Sequence, residues 1–410
     1  MFRQKTILLL AVLLLIIFFI TTNYLLVTLP TESEVKISLS VEDLIYKELQ
    51  NLPVSYKYQS KSNEENLSIY SNFKSITKQG EDKIERLWQI ANSWVNNTQL
   101  LDINSPYVGD ILLALQHTKI IQADIDPRGT QLKLLLTLQG NQQVIFKPKW
   151  YDRTKIVEGP VYAGKDRYNS EIIAFYLSVI LNHPLCPISV ERIISLKEDI
   201  LPVATKRLHD TTIIKNNKTC IYGKCFYCSI NDPICDDENS SLLGAVIFNF
   251  KASLLNHRSP WQRTYKKGKN AVWQEFPESY CKIVEHKISR KRLYDLIDIS
   301  LFDFIIQNGD RHHYETLDNT VLWLDNGKGL GNPFKHHIDI LAPLYQCCIM
   351  RKSTMKNLMN LTGGRLTEKL QKMPNIKNLI TTDHLQAMED RLLIIFATIE
   401  YCKKYKKSQA

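Results

Sequence analysis

The sequence predicts an α+β fold, and its 410 residues suit one two-lobed catalytic domain or two small domains. Three observations carry that expectation. Strand-like runs at Gln131–Leu138 and Val144–Lys147, joined by Gln139-Gly140-Asn141, read as a β-hairpin. Far downstream, an apolar helical run ends at Asn308-Gly309 and opens onto the polar cluster Asp310, Arg311, His312, His313 and Glu315. A short strand, Thr320–Leu324, then delivers Asp325-Asn326-Gly327 to a glycine-rich turn. Buried helix, polar loop, short strand and acidic turn can place two carboxylates beside one ligand. A metal-phosphate site needs that arrangement, because Mg²⁺ and Mn²⁺ prefer oxygen ligands and one acid can orient a hydroxyl while the other holds the cation. Taken singly, Asp310-Arg311 reads as well as a local ion pair and Asp325-Asn326-Gly327 as an ordinary turn. The set, joined to a lysine on the hairpin, is harder to read that way.

In chain order, Ile7–Ile20 is almost wholly apolar, follows Arg3 and Lys5, and continues weakly to Leu29. A span takes roughly 20 apolar residues, and positive charge stays cytoplasmic. No A-x-A-like site follows, so a retained signal-anchor over 1–29 is favoured above a cleaved signal peptide, with the remainder of the chain lumenal. Residues 30–80 are rich in Ser, Asn, Glu and Lys and read as a partly disordered lumenal stem, interrupted by a helix-like segment at Val41–Leu52. From Glu81 the pattern changes. Ile84, Leu87, Trp88, Ala91 and Val95 recur at helical spacing and predict an amphipathic helix.

The hairpin follows. A nucleotide-binding hairpin has a tight backbone over the phosphates and a lysine at its end, which makes Gln131 and Lys147 the candidates. No G-x-G-x-x-G is present. Next, Asp166-Arg167-Tyr168-Asn169-Ser170-Glu171 leads into a predicted helix, Ile172–Leu181. Glu171 falls in its first turn, where a carboxylate is electrostatically favoured, so it reads either as a capping acid or as a partner for Lys147 or a metal. Pro184–Val203 reads as short strands with turns. The helix Leu293–Gln307 carries Leu296, Ile297, Ser300, Leu301 and Phe304 on one face. From Arg351 the chain is helical with a break at Gly363-Gly364, and a last helix runs from a Thr382-Asp383 cap to Tyr401.

Net charge is +10, with basic clusters at Lys266–Lys269, Arg290–Arg292 and Lys403–Lys407. These read as solvated surface or as attraction for an anionic partner: nucleotide, sulfated glycan or membrane. No basic-aromatic array points to nucleic acid. Nine cysteines agree with an oxidising compartment. Cys220, Cys225, Cys228 and Cys235 crowd one segment, where disulfides compete with a zinc site. Sequons stand at Asn66, Asn96, Asn217, Asn239 and Asn360. Adjacent histidines, His312-His313 and His336-His337, point to opposite sides of an extended chain and rarely ligate one ion. No G-x-S-x-G elbow supports a serine hydrolase.

The motifs DRHHYE, LDNGKGLGNP and ILAPLYQCCIMRKST resemble the secretory-pathway kinases of "family with sequence similarity 20", and the likeness runs from about Ile84 to the C-terminal helix. The resemblance implies a two-lobed atypical protein-kinase-like fold: an N-lobe at 81–240, with its flanking helix and Cys-rich segment, and a C-lobe at 241–410. It implies ATP as phosphate donor and Mn²⁺, or Mg²⁺, as the metal. Asp310 is then the base that positions the acceptor hydroxyl, Asp325 with Glu171 holds the metal, Lys147 neutralises phosphate, and Gln131 helps place it. Glu315 stands five after Asp310, where ordinary protein kinases carry asparagine. Leu243, Gly244, Ala245 and Val246, within Ser241–Phe248, are expected at the hinge and adenine slot. Nested Cys220–Cys235 and Cys225–Cys228 bridges are implied, with Cys281–Cys347 and Cys348–Cys402 tying down the C-terminal helix and Cys186 left free. Within the family, the motifs and a short stem are most similar to the member that phosphorylates the 2-hydroxyl of xylose in the proteoglycan linkage region, which implies a Gal-Xyl acceptor. A secreted-protein serine kinase and an inactive scaffold that activates a partner kinase are the alternatives. Glu171, Asp310 and Asp325 speak against the scaffold, since the family's pseudokinase lacks the acid at the position of Glu171. The implied location is the Golgi membrane, single-pass type II.

Overall fold

The computed structural model describes residues 12–22, 39–57, 67–73, 84–266 and 268–406. The chain divides into two units, 1–44 and 45–410. In the first, 12–22 is helical and its apolar side chains are exposed. At 1.5 Å per residue it spans about 16 Å, roughly half a bilayer core. Among the described residues no helix is long and apolar enough to cross a membrane. The rest of the expected signal-anchor, 1–11 and 23–29, lies outside the described residues, as does much of the expected stem.

The second unit is built on a five-stranded antiparallel sheet, order β1-β2-β3-β8-β4. Its strands are β1 (Ile120–Ile125), β2 (Leu134–Leu138), β3 (Gln142–Pro148), β4 (Ser189–Ile194) and β8 (Leu242–Phe248), while β5 (Thr212–Lys215), β6 (Lys218–Ile221) and β7 (Ile234–Cys235) form a separate three-stranded sheet. The expected hairpin is β2–β3, in register Leu134↔Phe146 to Leu138↔Gln142. Period-two alternation buries Leu134, Leu136 and Leu138 on one face of β2. The predicted amphipathic helix is Ile84–Ser93, and Leu87, Trp88 and Ala91 are its buried residues. Trp88 Nε1 donates to Gln139 O at 2.8 Å, seating the helix on the hairpin turn. Gly140 in that turn has φ +85°, and a Cβ there would meet the Trp88 ring at 2.8 Å, so only glycine fits.

Two expectations need correction. After β4 the chain forms helical turns at Leu196–Ile200 and Leu201–Val203, not further strands. Ser195 accepts from the Glu198 N–H, and this local cap favours a turn over a ladder. In addition, β8 inserts between β3 and β4, so the sheet reaches Phe248, beyond the expected 240/241 lobe boundary. Strand insertion is a long-range event with no local composition signal.

The helix-rich part is centred on Arg290–Ile306, capped by Ser289 and ended by Gln307 in the left-handed region. It is buried on nearly every side, including Leu296, Ile297, Ser300, Leu301 and Phe304. The last helix, Thr382–Tyr405, is capped by Thr381, whose side chain accepts from His384 N–H. On it, buried Arg391 donates to the carbonyls of Ile305, Asn332 and Lys335. The break at Gly363-Gly364 separates helices Lys352–Met359 and Arg365–Gln371, and both glycines have positive φ. A small sheet of β9 (Leu255–Arg258), β10 (His313–Leu317) and β11 (Thr320–Val321) carries the loop chemistry.

All four implied bridges form: Cys220–Cys235, Cys225–Cys228, Cys281–Cys347 and Cys348–Cys402. Their sulfurs are thus spent, which removes the zinc reading, and Cys186 is free and buried. Cys348–Cys402 closes a separation of 54 residues and holds the final helix. We expect the double variant Cys348→Ala/Cys402→Ala to unfold about 2–4 kcal/mol more easily in oxidising buffer. Urea titration against the parent chain measures this, and an unchanged midpoint would refute it. Asn96, Asn217, Asn239 and Asn360 are exposed, as glycan acceptors must be, and Asn66 lies outside the described residues.

Candidate active site

Lys147 sits on β3, a strand bonded on both edges. Its ammonium lies 2.6 Å from Glu171 Oε1, 2.6 Å from Asp325 Oδ1 and 3.1 Å from Asp166 Oδ2. Burial opposes the lysine charge, but Asp325, Glu171 and Asp166 outweigh it and raise its pKa well above the usual lysine range. Glu171 is buried in the first turn of the helix Tyr168–Ile180, which begins four residues before the expected start. Its Oε1 also accepts the Asn326 N–H at 3.0 Å. Burial raises the pKa of Glu171, with Lys147 opposing. Glu171 is therefore the partner of Lys147 here, in place of a simple capping acid.

Asp325 has φ 56°, a left-handed backbone that turns the chain sharply after Trp323 and Leu324. The following residue is locked: Asn326 Nδ2 donates to Trp323 O at 2.9 Å, and Asn326 Oδ1 accepts from Arg311 at 2.8 Å. A Cβ on Gly327 would meet Asp166 Cγ at 2.8 Å, so glycine lets this turn approach the Asp166 loop. Lys147 holds the Asp325 carboxyl far below its usual pKa. The Asp325 side chain is nonetheless 67% exposed, opening into the cleft, so its tie to Lys147 is screened and adds less stability than the enclosed Lys147–Glu171 pair.

Asp310 lies on the loop after the core helix. Tyr265 donates its hydroxyl to Asp310 Oδ1 at 2.5 Å, and His312 Nδ1 is 2.8 Å from Asp310 O. The hydrogen bond to Asp310 raises the His312 pKa against burial. A cavity of about 50 Å³ beside Asp310 is lined by Trp261, Tyr265, His312 and Asp339 among others.

Asp310 and Asp325 are tied together from beneath. Arg311 makes a two-pronged pair with buried Asp303, at 2.9 and 2.6 Å, and also donates to Leu324 O and Asn326 Oδ1. Asn308 Nδ2 reaches Asp303 Oδ1 and Asp325 O, each at 3.3 Å. One guanidinium thus fixes the loop of one acid against the turn of the other.

The remaining predicted residues divide. Gln131 Oε1 accepts from Asp166 N–H at 2.8 Å, which places it at the hairpin end of the site. Glu315 on β10 is half-buried, with Asn256 Nδ2 at 3.4 Å; burial and Asp325 raise its pKa while Arg311 lowers it. The register pairs Lys147 with Ala245, so Ala245 and Leu243 share the lysine face while Gly244 and Val246 point to the other. Moreover, the backbone of 244–247 is paired with β3 on one side and β4 on the other, leaving no free amide or carbonyl for an adenine. Gly244 and Val246 are corrected on that ground.

Sequence reasoning passed over Asp166, Lys328, Lys133, Asp303 and Tyr265 as site residues. Lys328 Nζ lies 3.7 Å from Asp166 Oδ1 and donates to Gly164 O. Burial lowers its pKa, and the charges of Asp166, Asp310 and Asp325 oppose that shift. The charge of Lys133 lowers the pKa of Asp325 and Glu315. Lys328 was visible in the LDNGKG motif. The others carried no local signal.

The donor set fits a hard divalent cation. Three carboxylates face one ammonium, an excess of negative charge supplied wholly by oxygen. Mn²⁺ or Mg²⁺ commonly needs only one or two protein carboxylates when phosphates complete the shell. Accordingly, among the described residues no group of three or more His, Cys, Asp or Glu is arranged to hold an ion unaided.

Known proteins resemble this chain in sequence and in fold. Residues 86–410 match the family model "Fam20C: Golgi casein kinase, C-terminal, Fam20". The chain is 44% identical over 324 residues to a Drosophila melanogaster protein named glycosaminoglycan xylosylkinase homolog, covering 77% of each chain. It is 42% identical over 328 residues to the Homo sapiens glycosaminoglycan xylosylkinase, covering 77% of this chain and 80% of that one. A solved structure of hydra Fam20 with sugar superposes with a TM-score of 0.74 at 38% identity, over 79% of this chain and 97% of that one.

Proposed function

Since the chain belongs to the Fam20 family, with its kinase-like mixed helix and sheet fold, we propose that it transfers the γ-phosphate of ATP to the 2-hydroxyl of xylose in the proteoglycan linkage region. The observation that carries this reading is the convergence of Glu171 and Asp325 on Lys147, with the Asp325 turn tied through Arg311 to the loop that bears Asp310.

In this reading Lys147 neutralises phosphate charge, with Gln131 and Asp166 ordering the hairpin end beside it. Mn²⁺ or Mg²⁺, when bound, supplies charge neutralisation of the phosphates, and Asp325, with Glu171 behind it, would hold the ion. Asp310 orients the acceptor hydroxyl and takes its proton. Tyr265 occupies one carboxylate oxygen of Asp310 and so aims the other. Lys328 offsets negative charge between Asp166 and Asp310. Leu243 and Ala245 offer side-chain contact on the lysine face of β8. Residues 1–29 act as a signal-anchor and 30–80 as a stem, which puts the catalytic part in the Golgi lumen in a type II arrangement. Four disulfides suit that compartment.

The test is a choice of acceptor. With ATP and Mn²⁺, the purified chain is expected to phosphorylate Gal-Xyl and leave casein unlabelled. Labelled casein beside unmodified sugar would overturn the reading.

A further inference from the structure

Beside the acceptor cavity lies a second, much larger groove of about 780 Å³, within the size range of ligand pockets. Tyr265 and His312 line both, and both touch Asp310, so an occupant of the groove lies next to the reacting hydroxyl. The charge of the groove is one-sided. Arg258, Arg263, Lys266 and Lys287 line it, and no carboxylate does. Arg263 is already committed to Asp339 and Gly309 O. Arg258, Lys266 and Lys287 are exposed, and among the described residues no carboxylate lies within ion-pair distance of them. The floor is apolar: Val272, Ile283, Val284 and Ile288.

We propose that this groove binds an acidic segment of the polypeptide that carries the acceptor sugar, an assignment that rests on the glycan-directed function above. Charge complementarity selects an anionic partner. The apolar floor favours peptide over polysaccharide, because a sugar chain of hydroxyls and charges has no aliphatic side chains to place against Val272, Ile283 and Val284. A segment seated here raises the local concentration of its own glycan at Asp310, so the enzyme reads the protein as well as the sugar.

Binding and turnover test this separately on the full chain. A fluorescent acidic peptide without sugar is expected to bind, and to bind about tenfold more weakly to Lys266→Glu/Lys287→Glu, since two exposed ion pairs become repulsions. The same peptide with Gln and Asn for its acids should bind as weakly to the parent. In turnover, Gal-Xyl on the acidic peptide should show a KM about tenfold below Gal-Xyl on the neutral peptide, and the double variant should erase that gap. Its kcat/KM for free Gal-Xyl should not change. Equal binding of acidic and neutral peptides overturns the proposal, as does an anionic polysaccharide that binds in place of the acidic peptide. Failure of the broader reading is distinct: free Gal-Xyl then goes unphosphorylated, whatever the peptide does.

Discussion

Asp310→Ala is expected to lower kcat for phosphate transfer by about 10²–10⁴-fold, the usual contribution of a positioned general base. The physical ground is its placement. Asp310 stands apart from the Lys147 cluster, on a half-buried loop at the mouth of the acceptor cavity. Its contacts are with Tyr265 and His312, not with Lys147. Removing it therefore leaves the nucleotide end intact, and binding of a fluorescent ATP analogue should be unchanged. Thermal unfolding should shift little, because the side chain is not enclosed. Asp310→Asn sharpens the test. It can still accept the Tyr265 hydrogen bond through its amide oxygen but cannot take a proton, so it should be nearly as slow as alanine. Turnover within threefold of the parent in Asp310→Ala, with binding intact, would remove Asp310 from its role.

Arg311→Met should cost stability as well as activity. Asp303 is 2% exposed, and among the described residues Arg311 is its sole cationic partner. Breaking such a pair strands a buried charge, which typically costs about 3–5 kcal/mol. Burial already raises the Asp303 pKa against the opposing pull of Arg311, so the stranded acid is driven toward its neutral form. The double variant Asp303→Leu/Arg311→Met removes both charges and should recover most of that loss in urea unfolding. Transfer should not recover with it, because Leu324 O and Asn326 Oδ1 still lack the guanidinium that sets the Asp325 turn. Recovery of activity together with stability would show that the pair only supports the fold.

Both variants touch the boundary between what local chemistry announces and what packing decides. The β2–β3 hairpin, the helix Ile84–Ser93, the core helix and the Gly363-Gly364 break were legible because each is written in neighbouring residues: period two, period 3.6 and turn glycines. Lys147, Glu171, Asp310 and Asp325 were legible as candidates for the same reason, since each sits at the end or first turn of such an element. The insertion of β8 between β3 and β4 was not, and it turned Gly244 and Val246 away from the lysine face. Asp303 read only as one more helix residue, although it anchors both acid loops.

Taken by itself, the sequence determined most of the elements, their order, and which acids and lysine to watch. Tertiary structure alone decided their partners. Lys147 meets Asp325 across 178 residues, and Glu171 rather than Asp310 completes that contact. Propensity and periodicity act over a few residues and so leave a trace in the string. A three-way carboxylate contact forms only when sheet, helix and turn are packed together, and its energy depends on burial that no local pattern records.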